Sequence, residues 1–71
     1  MTKKEAKQLK SGSLFSWEDN DKRQNFCLVI ETFETIGSRF DYIRYYCPKR
    51  NMLFTVDRFA LHRNYYSLVF K

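Results

Sequence analysis

The side chains able to do chemistry are few and far apart. The 71 residues include one histidine, His62, and two cysteines, Cys27 and Cys47. Catalysis needs a nucleophile, a base and a stabilising donor within reach of one another. His62 stands in the polar stretch His62-Arg63-Asn64 and reads as a surface residue rather than a general base. One histidine and two well-separated cysteines fall short of the four ligands of a typical zinc site. Two cysteines also make no disulfide framework. The carboxylates gather in Glu18, Asp19 and Asp21, a spacing able to face a cation. That stretch lacks the glycine and the distal glutamate of a calcium loop, so it reads as a solvated acidic loop. No glycine-rich phosphate loop is present. The expectation is a protein that is not an enzyme, with no metal and no cofactor.

Binding is the remaining class, and the residues suited to it are aromatic and basic. The chain carries seven Phe, five Tyr and one Trp, and a net charge of +5. The charge is uneven: residues 1–10 carry +3, residues 11–38 carry −3, and residues 39–71 carry +5. A basic C-terminal half favours an acidic partner, although charge of this size also serves solubility alone. Tyr42, Arg44 and Tyr46 alternate along one strand and match the recipe for single-stranded nucleic acid, a basic groove with stacking platforms. Lys49, Arg50, Arg58 and Arg63 are the candidate phosphate contacts. Tyr, Trp and Arg are equally the residues enriched at protein–protein hot spots, so these positions and Trp17 serve a protein partner as well. Trp17, Tyr42, Tyr46 and Asp41 are the candidates for an aromatic cage around a cationic side chain.

These residues need a scaffold, and the pattern is that of strands. A chain of this length forms one domain and buries about 60% of its unfolded surface, so aromatic packing has to supply much of its stability. The densest run of strand formers is Phe40 to Cys47, ended by Pro48. Period-two alternation places Ile43, Tyr45 and Cys47 on a core face and Tyr42, Arg44 and Tyr46 on the wetter one. Leu14 to Trp17 reads as an earlier strand, followed by a polar loop from Glu18 to Asn25. The apolar run Phe26 to Ile30 reads as a strand buried on both faces near its start. It continues to Glu34, turns at Thr35 to Ser38 and pairs with the central strand. If pairing centres on Gly37, Cys27 lies opposite Cys47; a slip of one residue puts Phe26 or Leu28 there, so the register stays open.

Pro48 to Asn51 forms a second turn and Met52 to Val56 a fourth strand. Asp57 caps a helical turn over Arg58 to Leu61, with Phe59 and Leu61 closing one end of the core. Tyr65 to Phe70 is the fifth strand. At the other end, residues 1–10 are a basic arm or a short frayed helix, with Thr2 and Glu5 at capping-box spacing. Its thin apolar content suggests that folding does not need it. No apolar run reaches the roughly 18 residues of a membrane span, and the N-terminus lacks an apolar signal core. A cytoplasmic location with reduced thiols is the expectation.

Five short strands with a helical turn before the last resemble an SH3-like barrel over residues 10–70. The local pattern is similar to small Tudor-like and KOW-like barrels, including short ones encoded by tailed phages. Gly12-Ser13-Leu14 after a lysine-rich start, Tyr42-Ile43-Arg44-Tyr45 in mid-chain, and Val56 five positions before Leu61 carry the resemblance. An OB-like barrel is the competing fold. The resemblance implies residues 11–71 as an all-β binding module, acting as an accessory or regulatory protein on a protein partner such as a host enzyme or assembly, in the host cytoplasm if phage-encoded. Nucleic-acid binding is the alternative. The oligomeric state is open.

Overall fold

The computed structural model describes residues 1–34 and 41–71. The expected turn at Thr35 to Ser38, and Phe40, lie outside the described residues. Those described form a short helix α1 (Lys3–Lys7), then β1 (Leu14–Glu18), β2 (Gln24–Glu34), β3 (Asp41–Cys47), β4 (Met52–Asp57), a 3₁₀ turn (Arg58–Leu61) and β5 (Tyr66–Phe70). The five strands make one sheet in the order β4-β3-β2-β1-β5, with every pair antiparallel.

One face of the sheet holds the core. Phe15, Cys27, Val29, Ile43, Tyr45 and Cys47 are buried there, joined by Leu9 from beyond α1 and Leu61 from the 3₁₀ turn. Ile43, Tyr45 and Cys47 take the core face of β3, as their alternation predicts. Phe15 anchors the aromatic packing, with its ring edge-on to Tyr45 at 5.0 Å and to Tyr66 at 5.8 Å.

Among the described residues nothing is layered over the other face, and this corrects the reading of β2. Cys27 and Val29 are buried, but Phe26, Leu28 and Ile30 are exposed. The described covering elements, α1 and the 3₁₀ turn, lie on one side only, so β2 behaves as a strand buried on one face despite its unbroken apolar run. The pairing of β2 with β3 shifts by one residue between Val29 and Glu31, a bulge at Ile30. Such a bulge re-aims the following side chains and strengthens the local twist.

The N-terminal segment is a packed helix. Thr2 Oγ1 accepts from the Glu5 N–H at 3.1 Å and Glu5 Oε1 accepts from the Thr2 N–H at 2.9 Å, a complete capping box. A five-residue helix cannot persist alone in water, so tertiary contacts must hold it. Ala6 and Leu9 are buried. Arg58, itself only 4% exposed, donates from Nη1 to the carbonyls of Ala6, Lys7 and Leu9 at 3.0, 3.1 and 2.6 Å. A cation there also suits the negative end of the helix dipole. Of the two expected forms, a basic arm or a short helix, the segment takes the helix, and Arg58 ties it to the 3₁₀ turn.

One further detail differs from expectation, the placing of Phe59. Asp57 caps the 3₁₀ turn, its Oδ1 accepting from the Phe59 N–H at 2.8 Å, and Leu61 is buried, but Phe59 faces outward beside Lys3, Lys4 and Lys7. On β5, Tyr66 and Leu68 pack against the core while Phe70 turns out, because the β1–β5 pairing shifts between Leu14 and Phe15.

Candidate functional site: an apolar sheet face and an aromatic cleft

The candidate residues fall into two places on opposite sides of the sheet. Tyr42, Arg44 and Tyr46 are on the uncovered face, where strand register builds a row. Leu53 faces Tyr46, Tyr46 faces Leu28, Leu28 faces Leu14, and Leu14 faces Phe70. This line of apolar side chains crosses all five strands. Leu53, Leu28 and Phe70 are 59%, 40% and 68% exposed. Ile30, Phe33 and Phe26 extend the apolar surface beside it. Contiguous exposed apolar area of this kind marks interaction surfaces in soluble proteins.

The one arginine among the candidate residues of this face is already engaged. Arg44 Nη1 meets Glu31 Oε1 at 2.8 Å, and its guanidinium lies 5.3 Å from the centre of the Phe33 ring. The Tyr46 hydroxyl donates to Asn51 Oδ1 at 2.6 Å, tying the ring to the β3–β4 turn. Asn51 holds φ 49° there, a left-handed conformation that asparagine tolerates better than most residues.

Trp17, Lys49 and Arg50 meet on the core side of the sheet, at the end where the β1–β2 and β3–β4 turns approach each other. The cleft there, of about 220 Å³, is lined by Trp17, Tyr45, Cys47, Arg50, Phe54, Tyr65 and Tyr66. The Arg50 guanidinium sits 5.3 Å from the Trp17 ring centre and 6.0 Å from that of Phe54, and the Lys49 ammonium 5.7 Å from Trp17. The protein's own cations therefore lie against two of the aromatic walls, Trp17 and Phe54. Burial pushes the Tyr45 phenol well above its usual range and raises that of Tyr66 in the same direction. Both hydroxyls stay neutral at physiological pH.

The acidic loop forms the rim of this cleft and is a self-bonded turn. Asp19 Oδ1 accepts from the N–H groups of Asp21 and Arg23, each at 2.9 Å. Its Oδ2 accepts from Asn25 Nδ2 at 3.2 Å and Lys49 Nζ at 2.8 Å. These bonds, led by that from Lys49, hold the Asp19 carboxyl well below its ordinary range. Among the described residues no group of three His, Cys, Asp or Glu side chains is placed to hold a metal ion.

Arg58 and Arg63 lie apart from both places. Arg58 is buried beneath α1, with Nε 2.8 Å from Asp41 Oδ2. Arg63 is exposed between the 3₁₀ turn and β5, its Nη1 donating to the His62 carbonyl at 2.8 Å. The cage set divides as well: Trp17 is on the core side, Tyr42 and Tyr46 on the other, and Asp41 pairs with Arg58. The row residues Leu14, Leu28, Leu53 and Phe70 escape a reading of single strands, because only the register of four strand pairs aligns them. The cleft residues Tyr45, Phe54, Tyr65 and Tyr66 escape it because they come from three strands and a turn.

The chain matches no protein-family model, no curated protein and no solved structure. No helix among the described residues is long and apolar enough to cross a membrane.

Proposed function

We propose that this chain is a small non-enzymatic binding module of SH3-like architecture that engages a protein partner through the uncovered face of its sheet. The strand order β4-β3-β2-β1-β5, with β1 paired to both β2 and β5 and a 3₁₀ turn between β4 and β5, supports the SH3-like reading. The observation that carries the functional reading is the row Leu53–Tyr46–Leu28–Leu14–Phe70. It is apolar across five strands, and the arginine beside it, Arg44, is matched by Glu31. A polyanion would find little to hold there, whereas apolar surface with a central tyrosine and arginine is what protein hot spots use.

A second reading, single-stranded nucleic acid, has its support in the cleft. Trp17, Phe54 and Tyr65 offer stacking surfaces there beside Arg50, for which no carboxylate partner is seen among the described residues. The two readings predict different sensitive residues. Immobilised wild-type protein should capture a protein from lysate of the source cells that Leu53→Glu and Leu28→Glu fail to capture, while Trp17→Ala retains it. The opposite result would put the site in the cleft: capture indifferent to the face variants, with labelled oligonucleotide binding abolished by Trp17→Ala or Arg50→Ala.

A further inference from the structure

The register that sequence leaves open places the two thiols together. Leu28 faces Tyr46 and Val29 faces Tyr45 across β2 and β3, so one step further along the same pairing Cys27 faces Cys47. Directly opposed residues of antiparallel strands have Cα atoms about 4.5 or 5.5 Å apart. Both values lie inside the roughly 4.4–6.8 Å range that a disulfide spans. Both side chains point into the covered face, both are buried, and both are free thiols. Each interacts with the other and with the Trp17 side chain.

The two sulfurs are not equivalent. Cys47, though only 1% exposed, is part of the wall of the aromatic cleft, whereas Cys27 does not line that cleft. Burial pushes the Cys27 thiol up to about 12, with the neighbouring Cys47 adding to the shift. Burial also opposes a Cys47 thiolate, but bonding from the Arg50 backbone, Trp17, Cys27 and the Lys49 backbone outweighs it and leaves the Cys47 thiol below its ordinary value. Thiolate character and access together decide which cysteine reacts.

We propose that Cys27 and Cys47 form an oxidisable dithiol, which a hydroperoxide converts into a disulfide joining β2 to β3. The Cys47 thiolate attacks one peroxide oxygen. The S–O bond forms, the O–O bond breaks, and hydroxide leaves to take up the proton that Cys47 lost. The Cys27 sulfur then attacks the Cys47 sulfenic acid. The S–S bond forms, the S–O bond breaks, and the departing hydroxide leaves as water with the Cys27 proton. Two thiols are oxidised by two electrons in all, and one peroxide is reduced to two waters, the first rung of cysteine oxidation resolved by a neighbour. The cleft admits a solute the size of hydrogen peroxide more readily than a bulky disulfide, so the peroxide is the fitting oxidant.

The test uses the folded full chain and hydrogen peroxide, with thiols counted after quenching and unfolding. Both thiols should disappear together and the mass should fall by two hydrogens. The chain should stay monomeric on a non-reducing gel. Emission of Trp17, the sole tryptophan, should drop through quenching by the adjacent disulfide, and dithiothreitol should reverse every change. In Cys27→Ser the mass should instead rise by oxygen on Cys47, and in Cys47→Ser the remaining thiol should persist. Three results on wild-type protein would each overturn the proposal: thiols that survive a dose oxidising them in the unfolded chain, oxygen gained without a disulfide, or a disulfide between chains.

Discussion

Arg58 and Asp41 meet at 2.8 Å beneath the N-terminal helix, joining the start of β3 to the turn that follows β4. The contact is ionic more than directional, since Arg58 Nε and Asp41 Oδ1 make no hydrogen bond. Arg58 Nη1 meanwhile donates to the carbonyls of Lys7 and Leu9, and to that of Ala6, which also accepts the Leu9 N–H at 3.3 Å. One buried guanidinium thus links helix, turn and sheet.

Removing it should unfold much of the protein. Breaking a fully buried pair from one side costs about 3–5 kcal/mol; here Asp41 is 27% exposed, which lowers that cost, but the Lys7 and Leu9 carbonyls lose their donor as well. Total stability for a domain of this kind is only about 5–15 kcal/mol. Arg58→Ala should therefore lower the melting temperature by well over ten degrees, and deletion of residues 1–9 should destabilise for a related reason. A thermal melt of either variant that overlays wild type would mean that α1 rests on the sheet without supporting it.

The two faces of the sheet should respond in opposite ways to substitution. Ile43 is fully buried, and Ile43→Ala should cost about 2–5 kcal/mol. Leu53 sits on the uncovered face, and Leu53→Glu should change stability by no more than about 0.5 kcal/mol, the usual range for surface sites. Chemical denaturation of the pair would check this. A large loss in Leu53→Glu would mean that the face is covered in solution, for example by a second copy.

How far the fold was legible follows from these residues. The central strand was readable because Ile43, Tyr45 and Cys47 alternate strictly with Tyr42, Arg44 and Tyr46, and a period of two has one meaning. The Asp57 cap and the Thr2–Glu5 capping box were readable because each is local chemistry between neighbours. The β2 strand misled because an apolar run announces burial, while burial depends on whether a second layer exists, and among the described residues none covers Phe26, Leu28 and Ile30. The packing of α1 was hidden because its strongest tie, Arg58, lies some fifty residues away. Both candidate surfaces were hidden for the same reason, being products of register rather than of any single strand.

Acid should loosen the β1–β2 turn through Asp19. Its folded carboxyl is depressed from an ordinary value of 3.8, first by Lys49 and then by the Arg23 backbone. A depressed folded value contributes stability that is fully present above the unfolded value and is lost as pH falls through the folded one. Asp19→Asn keeps an acceptor but lacks the charge, so it should melt below wild type at neutral pH. The gap should begin to close as pH drops below about 4 and vanish in strong acid. Melting curves from pH 7 downward would check it; a gap independent of pH would assign the effect to geometry rather than to charge.

The last expectation separates charge that is available from charge that is already engaged. Losing a phosphate contact lowers the salt slope of log affinity by about 0.7–0.9, whereas losing a stacked base costs roughly 1–3 kcal/mol and leaves the slope nearly alone. A protein of net charge +5 attracts any polyanion at low salt, so weak binding by itself decides nothing. Arg44 is matched by Glu31 at 2.8 Å on the apolar face, while Arg50 stacks on Trp17 and Phe54. Titration of labelled single-stranded DNA at several salt concentrations should therefore give Arg44→Ala a slope within error of wild type, and Tyr46→Ala an unchanged affinity. Arg50→Ala should lose part of the slope if anything does. A full unit lost in Arg44→Ala, with a stacking loss in Tyr46→Ala, would mean that the ion pair opens to take a phosphate. The uncovered face would then belong to a nucleic acid instead of a protein.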